Sequence, residues 1–177
     1  MRVTISVRDA RTNRGDRQWI ESVYRDYLDD LAPLNTGIFP ALGEIGHREP
    51  DQLTRWFGEP GAHLLTILGD QQPAGFAMVT PGGTVQPSGG ATRTDYRMAE
   101  FFIARPYRRR GVGRSAVRLV LDRFDGSWEI IEYLRNPGAV SFWRKVIALY
   151  TAGNYEERVV NGEVRQTFRS GSGTRRR

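Results

Sequence analysis

The 177-residue chain contains no cysteine. Its absence excludes disulfides, catalysis by a thiolate and metal sites ligated by cysteine, and it leaves the redox compartment undetermined. Long hydrophobic runs are lacking too: the amino-terminal stretch is charged and has no apolar core of a signal sequence, and no run is long enough to cross a membrane. We therefore expect a cytoplasmic protein with no membrane partner.

Internal repeats and an interdomain linker are also missing from the sequence. A chain of this length is most simply one domain, large enough to bury roughly two thirds of its unfolded surface. We predict a single domain over residues 1–170. The remaining residues, 171–177, combine glycine and serine with arginines and are predicted to form a disordered basic tail.

Positive charge is concentrated in one region of the chain. Eight arginines lie between Arg93 and Arg118, where the only acidic residues are Asp95 and Glu100. A nucleic-acid-binding protein would also be basic, but no aromatic-rich basic face or DNA-reading signature accompanies this charge. A local anion site explains it more economically, so we predict no nucleic-acid partner.

Hydrophobic periodicity and turn residues predict the order of the elements. Apolar residues recur at three- and four-residue intervals from Trp19 to Leu31, and Asn13 or Asp16 could cap that helix. Two loops are expected at 32–46 and 81–92, where glycine and proline are frequent. The predicted elements are a strand at 3–7, this helix, a short helix at 50–57, a hairpin of 63–68 with 73–80, a strand at 94–103, a helix from Gly111 to about 125, a strand at 128–134, a helix at 137–149 and a hairpin of 155–160 with 163–168 around Asn161-Gly162.

This order predicts an α/β (α+β) fold. Early strands are joined by a hairpin, whereas later strands are joined through helices and should run parallel. The expected architecture is a mixed, twisted sheet of about seven strands with helices on both faces. Sheets of this kind bind ligands where the strand pattern changes.

A glycine motif stands at the point where a strand leads into a helix. Residues 101–103 are followed by an arginine cluster and then by Gly111-Val112-Gly113. Glycines let the backbone approach a ligand, and the first turn of a helix has N–H groups without intrahelical partners. Arginines add charge-assisted contacts to phosphate oxygens. This stretch is therefore predicted to hold a phosphate.

Three other interpretations of the motif compete with a general phosphate site. The P-loop is excluded because its sequence pattern does not occur. A Rossmann nucleotide site is closer, since Gly111, Gly113 and Ala116 fit its spacing and Glu132 follows at about the distance of the ribose-binding acid. Seven residues separate the strand from Gly111, however, and a Rossmann strand runs almost directly into its glycines. The third interpretation is a plain helix start that binds no ligand.

The motifs resemble those of the GNAT superfamily of acetyl-CoA-dependent N-acetyltransferases. The family's cofactor pattern, R/Q-x-x-G-x-G/A, is matched from Arg108 to Gly113, and its second signature, N-x-x-A-x-x-F, is matched by Asn136, Ala139 and Phe142. The predicted element order is that of the family fold. The resemblance therefore covers nearly the whole chain.

The resemblance implies transfer of an acetyl group from acetyl-CoA to a primary amine by direct attack, with no covalent enzyme intermediate and no metal. The strand backbone would pair with the pantetheine arm, and the N–H groups of the glycine loop together with arginine side chains would hold the pyrophosphate. Asn136 would contact the pantetheine arm. The residues implied for cofactor binding are Phe102, Ile103, Arg108, Arg109, Arg110, Gly111, Val112, Gly113, Arg114, Ser115, Asn136 and Phe142.

Proton transfer requires further residues, because an amine arrives protonated. Glu100 precedes the cofactor-binding strand segment, where the family often places a glutamate base, and Glu132 is the second candidate. Where the family commonly has a tyrosine that protonates the leaving thiolate, this chain has Trp143, and an indole is no usable acid near neutral pH. Tyr150, Tyr133 or solvent could fill that role.

The missing tyrosine leaves open a second function, a non-catalytic acyl-CoA-binding or sensor module on the same fold. The acceptor, a small molecule or a peptide, is not identified by the sequence. The C-terminal hairpin could pair with a second copy, which makes a homodimer possible. Candidates for the acceptor pocket are Trp19, Tyr27, Asp29, Asp30, His47 and Trp56.

Overall fold

The computed structural model describes residues 3–31, 49–85 and 92–171. Most of the predicted elements are present, with boundaries shifted by a few residues. Within the described residues they are β1 (Ile5–Asp9), α1 (Arg14–Leu31), α2 (Glu49–Gly58), β2 (His63–Gly69), β3 (Gln72–Pro81), β4 (Thr84–Val85), β5 (Thr92–Arg93), β6 (Tyr96–Ile103), α3 (Val112–Arg123), β7 (Ser127–Tyr133), α4 (Pro137–Thr151), β8 (Glu156–Val160) and β9 (Glu163–Arg169).

Seven strands form one mixed sheet in the order β1-β2-β3-β6-β7-β9-β8. Strand β1 is antiparallel to β2, β6 is parallel to β7, and β9 is antiparallel to both β7 and β8. The register of β6 and β7 pairs Tyr96 with Trp128 and Arg97 with Glu129. The predicted mixed sheet of about seven strands, with its parallel pair, is confirmed.

The late strands β7 and β8, which a helix joins, run in the same direction as expected, since β9 is antiparallel to both. They are not neighbours, because β9 lies between them. The reason is burial: Val164, Gln166 and Phe168 of β9 are buried, whereas Val159 and Val160 of β8 are exposed. The more buried strand of the hairpin takes the inner position, and β8 becomes the edge.

Turn chemistry explains both hairpins. Asn161 and Gly162 have φ of 51° and 81°, and Asp70 and Gln71 have φ of 48° and 67°. Positive φ at both central residues is the geometry of the two-residue turn whose twist matches that of the flanking strands. The Asn161-Gly162 turn predicted from the sequence is therefore confirmed.

Side-chain contacts decide how α1 begins. The Asn13 side chain accepts a hydrogen bond from the backbone N–H of Gly15 at 2.9 Å, which makes Asn13 the cap. Asp16 instead is buried and forms a bidentate ion pair with Arg8 of β1 at 2.6 and 2.7 Å. The hydrogen bonds to Asp16 stabilise the charged form of Arg8 and raise the pKa of its guanidinium above the usual range.

Two predictions need correction. The spacing of apolar residues in α3 predicts a buried stripe of Val112, Ala116, Leu119, Val120 and Phe124. Leu119 is exposed, however, whereas Val117 and Leu121 are fully buried, so the stripe is rotated about the helix axis. The loop expected at 81–92 contains a two-stranded sheet in which β4 pairs with β5. The loop at 32–46 lies outside the described residues, as does the tail after Gly171.

The chain forms two compact units, and each has its own core. The first comprises Met1–Met78 and Glu100–Val112, and the second comprises Val79–Ala99 and Gly113–Arg177. In the first unit, aromatic residues of α1 and α2 pack with residues of the strands β2, β3 and β6. The single domain over 1–170 stays a prediction. Buried residues of the second unit include Val117, Val120, Leu121, Trp128, Ile130, Val146, Ile147 and Phe168.

A membrane-spanning helix must be both long and apolar. Among the helices in the described part of the chain, none combines the length and the apolar character that crossing a bilayer needs.

Candidate functional site

Glu100 lies on β6, in the first unit, and forms a hydrogen bond with α1. The Tyr27 hydroxyl donates to its Oε2 atom. The side chain is partly exposed, but the surrounding protein removes most of the water from the carboxylate, and this desolvation raises the pKa of Glu100 to about 8. Glu100 is therefore a carboxylate that exchanges a proton close to neutral pH.

A cluster of aromatic rings holds Tyr27 in place. Its ring lies 5.4 Å from Phe76, 5.8 Å from Phe102, 6.0 Å from Tyr24 and 6.2 Å from Trp56, measured between centroids. All five side chains are buried. Edge-to-face and tilted contacts of this kind stabilise a fixed ring orientation. The acceptor candidates Tyr27 and Trp56 thus belong to one rigid cluster.

The other acceptor candidates are less closely connected. Trp19 packs against the same cluster and is partly buried, whereas Asp29 is exposed. His47 lies outside the described residues.

The arginine-glycine loop has an unusual backbone. Arg109 has φ of 60° and Gly111 has φ of 79°, both in the left-handed region. No atom lies within 4 Å of the position that a Cβ of Gly111 would take, so conformation, not space, requires glycine there. Left-handed residues in a short loop turn successive N–H groups towards one side and form a concave anion site. The strain at Arg109 is typical of a functional loop.

Helix α3 begins directly after this loop. Val112 is buried and anchors the first turn, whereas Arg114 is exposed and Gly113 and Ser115 are half-buried. The first turn contains no acidic residue, so no carboxylate within it offsets the positive field of the helix N-terminus. The exposed side chains of Arg109 and Arg110 add to that field. The loop and the first turn could hold a phosphate group.

Arg108 is engaged within the protein itself. Its Nε donates to the carbonyl oxygen of Ile103 at 2.6 Å, and its Nη2 forms an ion pair with Asp30 of α1. The guanidinium carbon also lies 5.4 Å from the centre of the Phe102 ring. Arg105 reaches the same Asp30 carboxylate at 3.5 Å. A phosphate that bound Arg108 would therefore share the guanidinium with Asp30 or displace it.

Asn136 caps helix α4. Its Oδ1 accepts a hydrogen bond from the backbone N–H of Ala139 at 3.0 Å, and Pro137 follows as the first helical residue. The cap uses the side-chain oxygen, which leaves the amide N–H groups as donors for a ligand. In the same helix, the half-buried Phe142 packs edge-on against the buried Trp143, with 5.3 Å between the ring centres.

Glu132 occupies a core position of β7 in the second unit. Its exposed fraction is 4%, and neither carboxylate oxygen has a hydrogen-bond partner within the described part of the chain. Desolvation, reinforced by the nearby charge of Glu157, raises the pKa of Glu132 to about 8, and Arg144 only partly opposes this shift. The buried carboxyl is therefore mostly protonated at neutral pH.

We predict that Glu132→Gln increases stability in a pH-dependent way. The folded-state pKa of about 8 lies above the ordinary value of 4.5, so the stability that the protonated form provides is fully present below pH 4.5 and is lost as pH rises towards 8. The variant has no proton to lose. Denaturant unfolding should show nearly equal stabilities at pH 4 and a gain of about 2–4 kcal/mol at pH 8.5.

Glu156→Gln is the matched control, because Glu156 is an exposed carboxylate on β8. It should show no such gain. A gain for Glu132→Gln that is equal at pH 4 and pH 8.5 would contradict the buried titration.

Tyr150, the candidate acid, lies on α4. Its hydroxyl donates to Asp122 of α3 at 2.9 Å, and its ring packs against Phe168. Burial and the bond to Asp122 raise the pKa of Tyr150 above its ordinary value. A raised pKa makes this phenol a weaker proton donor than a free tyrosine.

Two contacts in the first unit were not predicted from the sequence. Tyr27 and Asp30 are three residues apart on α1, so they lie on one face of the helix, and they reach Glu100 and Arg108. The sequence identified both as acceptor-pocket candidates but gave no partner for either. Their spacing on the helix was the signal that could have placed them together.

A metal site needs several ligands that converge on one point. Among the described residues, no group of three or more histidine, aspartate or glutamate side chains is arranged to hold a metal ion.

Comparison with protein families gives a match over most of the chain. A model described as the acetyltransferase (GNAT) family matches residues 20–147. Among curated protein sequences, none matches this chain.

Solved structures share the fold. An acetyltransferase from Thermus thermophilus superposes with a TM-score of 0.61 at 16% identity, covering 96% of this chain and 97% of that one. A GNAT-family acetyltransferase from Streptococcus agalactiae 2603 gives 0.58 at 14% identity, with 94% of each chain covered. A dodecameric spermidine N-acetyltransferase from Vibrio cholerae gives 0.54 at 12% identity, with 93% of each covered.

Proposed function

We propose that this chain, which belongs to the GNAT acetyltransferase family, transfers an acetyl group from acetyl-CoA to a primary amine of a small molecule or peptide. The proposal rests on the surroundings of Glu100. Its desolvated carboxylate, with a pKa of about 8, is fixed by a tyrosine and precedes the strand end and the arginine-glycine loop in the same unit.

The loop and the start of α3 are suited to the phosphates of CoA. Arg109 and Gly111 have the left-handed backbone that is common in anion-binding loops, and the first turn of α3 adds its positive field. The arginine side chains supply charge-assisted hydrogen bonds. Bound there, acetyl-CoA supplies an activated thioester carbonyl. The roles of Asn136 and Phe142 stay predictions from the family resemblance.

Glu100 would act as the general base. The ammonium group of the acceptor gives a proton to the Glu100 carboxylate, and the neutral amine then attacks the thioester carbonyl. A C–N bond forms, the C–S bond breaks, the nitrogen gives its second proton to solvent, and the thiolate takes a proton from solvent. A base whose pKa is close to the working pH combines a useful ionised fraction with sufficient basicity. Activity should therefore rise with pH up to about 8.

We predict that Gly111→Asp weakens acetyl-CoA binding by roughly tenfold or more, the equivalent of about 1.4 kcal/mol. The φ of 79° at this position strains any residue with a Cβ, and the added carboxylate repels phosphate. Titration calorimetry with acetyl-CoA measures the effect.

Gly153→Asp is the matched control for this variant. Gly153 also has positive φ, at 83°, and also has no atom within 4 Å of a Cβ position. The Gly153→Asp substitution introduces the same backbone strain and the same negative charge, but directly after α4. Wild-type affinity in Gly111→Asp, or no acetyl-CoA binding by the wild type, would contradict the proposal.

The second candidate is a non-catalytic acyl-CoA-binding or sensor module. It is favoured by Trp143 at the position where the family commonly has a tyrosine, and by the raised pKa of Tyr150. Release of free thiol from acetyl-CoA, followed with a thiol reagent over a panel of amines, separates the two functions. Acetyl-CoA binding without thiol release for any amine would support the sensor.

A further inference from the structure

We infer that Tyr27 is a positioning residue for the reaction. Its hydroxyl fixes one oxygen of the Glu100 carboxylate and thereby influences whether that group is protonated or ionised. This inference rests on the proposed role of Glu100. It adds a residue from α1 that carries no part of the family's motifs in this sequence.

The first support is the rigidity of the Tyr27 side chain. It is 8% exposed and contacts four other rings, two from helices and two from the strands β3 and β6. Phe102 and Glu100 lie two residues apart on β6, so their side chains leave the strand on the same face. The ring that packs on Phe102 therefore brings its hydroxyl to Glu100, where the hydrogen bond forms.

The second support is the chemistry of the contact. A phenol that donates to Oε2 satisfies one oxygen of the ionised carboxylate and leaves Oε1 to take the proton of the amine. A hydrogen bond to the charged form favours that form, whereas burial disfavours it. Tyr27 thus limits the rise in pKa that burial causes and keeps a fraction of the Glu100 carboxylate ionised near neutral pH.

Three charged side chains of the first unit, Asp30, Arg105 and Arg108, are joined by ion pairs. Asp30, one turn after Tyr27 on α1, pairs with Arg108 and Arg105. Arg108 lies over the Phe102 ring and donates to the Ile103 carbonyl. Burial raises the pKa of Glu100. The Tyr27 hydroxyl donates a hydrogen bond to that carboxylate, so its removal should change the proton affinity of Glu100.

The test compares Tyr27→Phe with the wild type across pH. The variant keeps the ring contacts and removes only the hydroxyl. Loss of a hydrogen bond to a charged group should move the rising limb of the kcat profile up by about one pH unit or more. At pH 7 kcat should then fall roughly tenfold, recovering at high pH, while the Kd for acetyl-CoA stays unchanged.

Tyr24→Phe is the matched control, since it removes a hydroxyl from the same helix and the same ring cluster. Its profile should stay that of the wild type. An unshifted limb in Tyr27→Phe, or an equal shift in both variants, would overturn the inference, because a structural role would lower kcat equally at all pH values.

A direct titration keeps this inference separate from the proposed function. Carbon-13 NMR of labelled glutamate carboxyls, assigned with Glu100→Gln, reports the Glu100 midpoint without any turnover. A midpoint that rises in Tyr27→Phe supports the positioning role even if no amine is acetylated. A midpoint that stays at the wild-type value overturns it, whatever the activity assays show.

Discussion

Glu100→Gln should lower kcat by roughly 10²–10⁴-fold, the range typical for removal of a general base. Glutamine keeps the size of the side chain and can still accept the Tyr27 hydrogen bond through its carbonyl oxygen, so the fold of the cluster is preserved. It cannot take a proton from the ammonium group. The Kd for acetyl-CoA, measured by calorimetry, should stay at the wild-type value.

The pH dependence makes this result specific. Wild-type turnover should rise through a midpoint near pH 8, and the residual activity of Glu100→Gln should lack that limb. Glu21→Gln serves as the control, because Glu21 is an exposed carboxylate on α1 that pairs with Arg17. Turnover of Glu100→Gln that equals the wild type at every pH would remove Glu100 from the mechanism.

Arg97→Ala should lower the free energy of unfolding by about 3 kcal/mol, because it leaves a buried carboxylate without its main partner. Glu129 is fully buried, and Arg97 donates to its Oε2 through Nε at 2.8 Å and Nη2 at 2.5 Å. Arg165 lies 3.6 Å from the other oxygen and offsets only part of the loss. Denaturant unfolding at constant pH gives the measurement.

Two comparisons test the cause of that loss. Arg118→Ala removes an exposed arginine paired with Asp122 at 3.6 Å and should cost about 0.5 kcal/mol or less. Arg97→Ala combined with Glu129→Gln should recover part of the stability, since no buried charge remains. If the double variant is less stable than Arg97→Ala alone, an unpaired carboxylate is not the cause.

Local chemistry made much of the fold predictable. The Asn161-Gly162 turn, Pro137 at the start of α4 and the three-and-four spacing along α1 each specify a conformation through nearby residues alone. The parallel pair β6–β7 followed from its helical connection. The arginine-glycine loop could also be placed from the sequence, because its glycines lie on the short connection between one strand and the next helix.

Long-range packing could not be predicted in the same way. Tyr27 is separated from Glu100 by 73 residues, and Asp30 from Arg108 by 78. Nothing in a single sequence pairs residues so far apart. Burial of Glu132 was equally hidden, because residues 128–133 place a glutamate on each face of the strand and show no strict alternation. The stripe of α3 was misplaced since Val117 and Leu119 are both apolar, and only packing decides which is buried.

The division of the chain into two compact units bears on how the protein can be dissected. Domain boundaries usually fall in exposed linkers. Here they fall between Met78 and Val79 inside β3, between Ala99 and Glu100 inside β6, and at the first residues of α3. A fragment cut at these points would carry broken strands with unpaired backbone groups. The two units therefore cannot be exchanged separately between related proteins. A functional chimera must keep β3 and β6 intact.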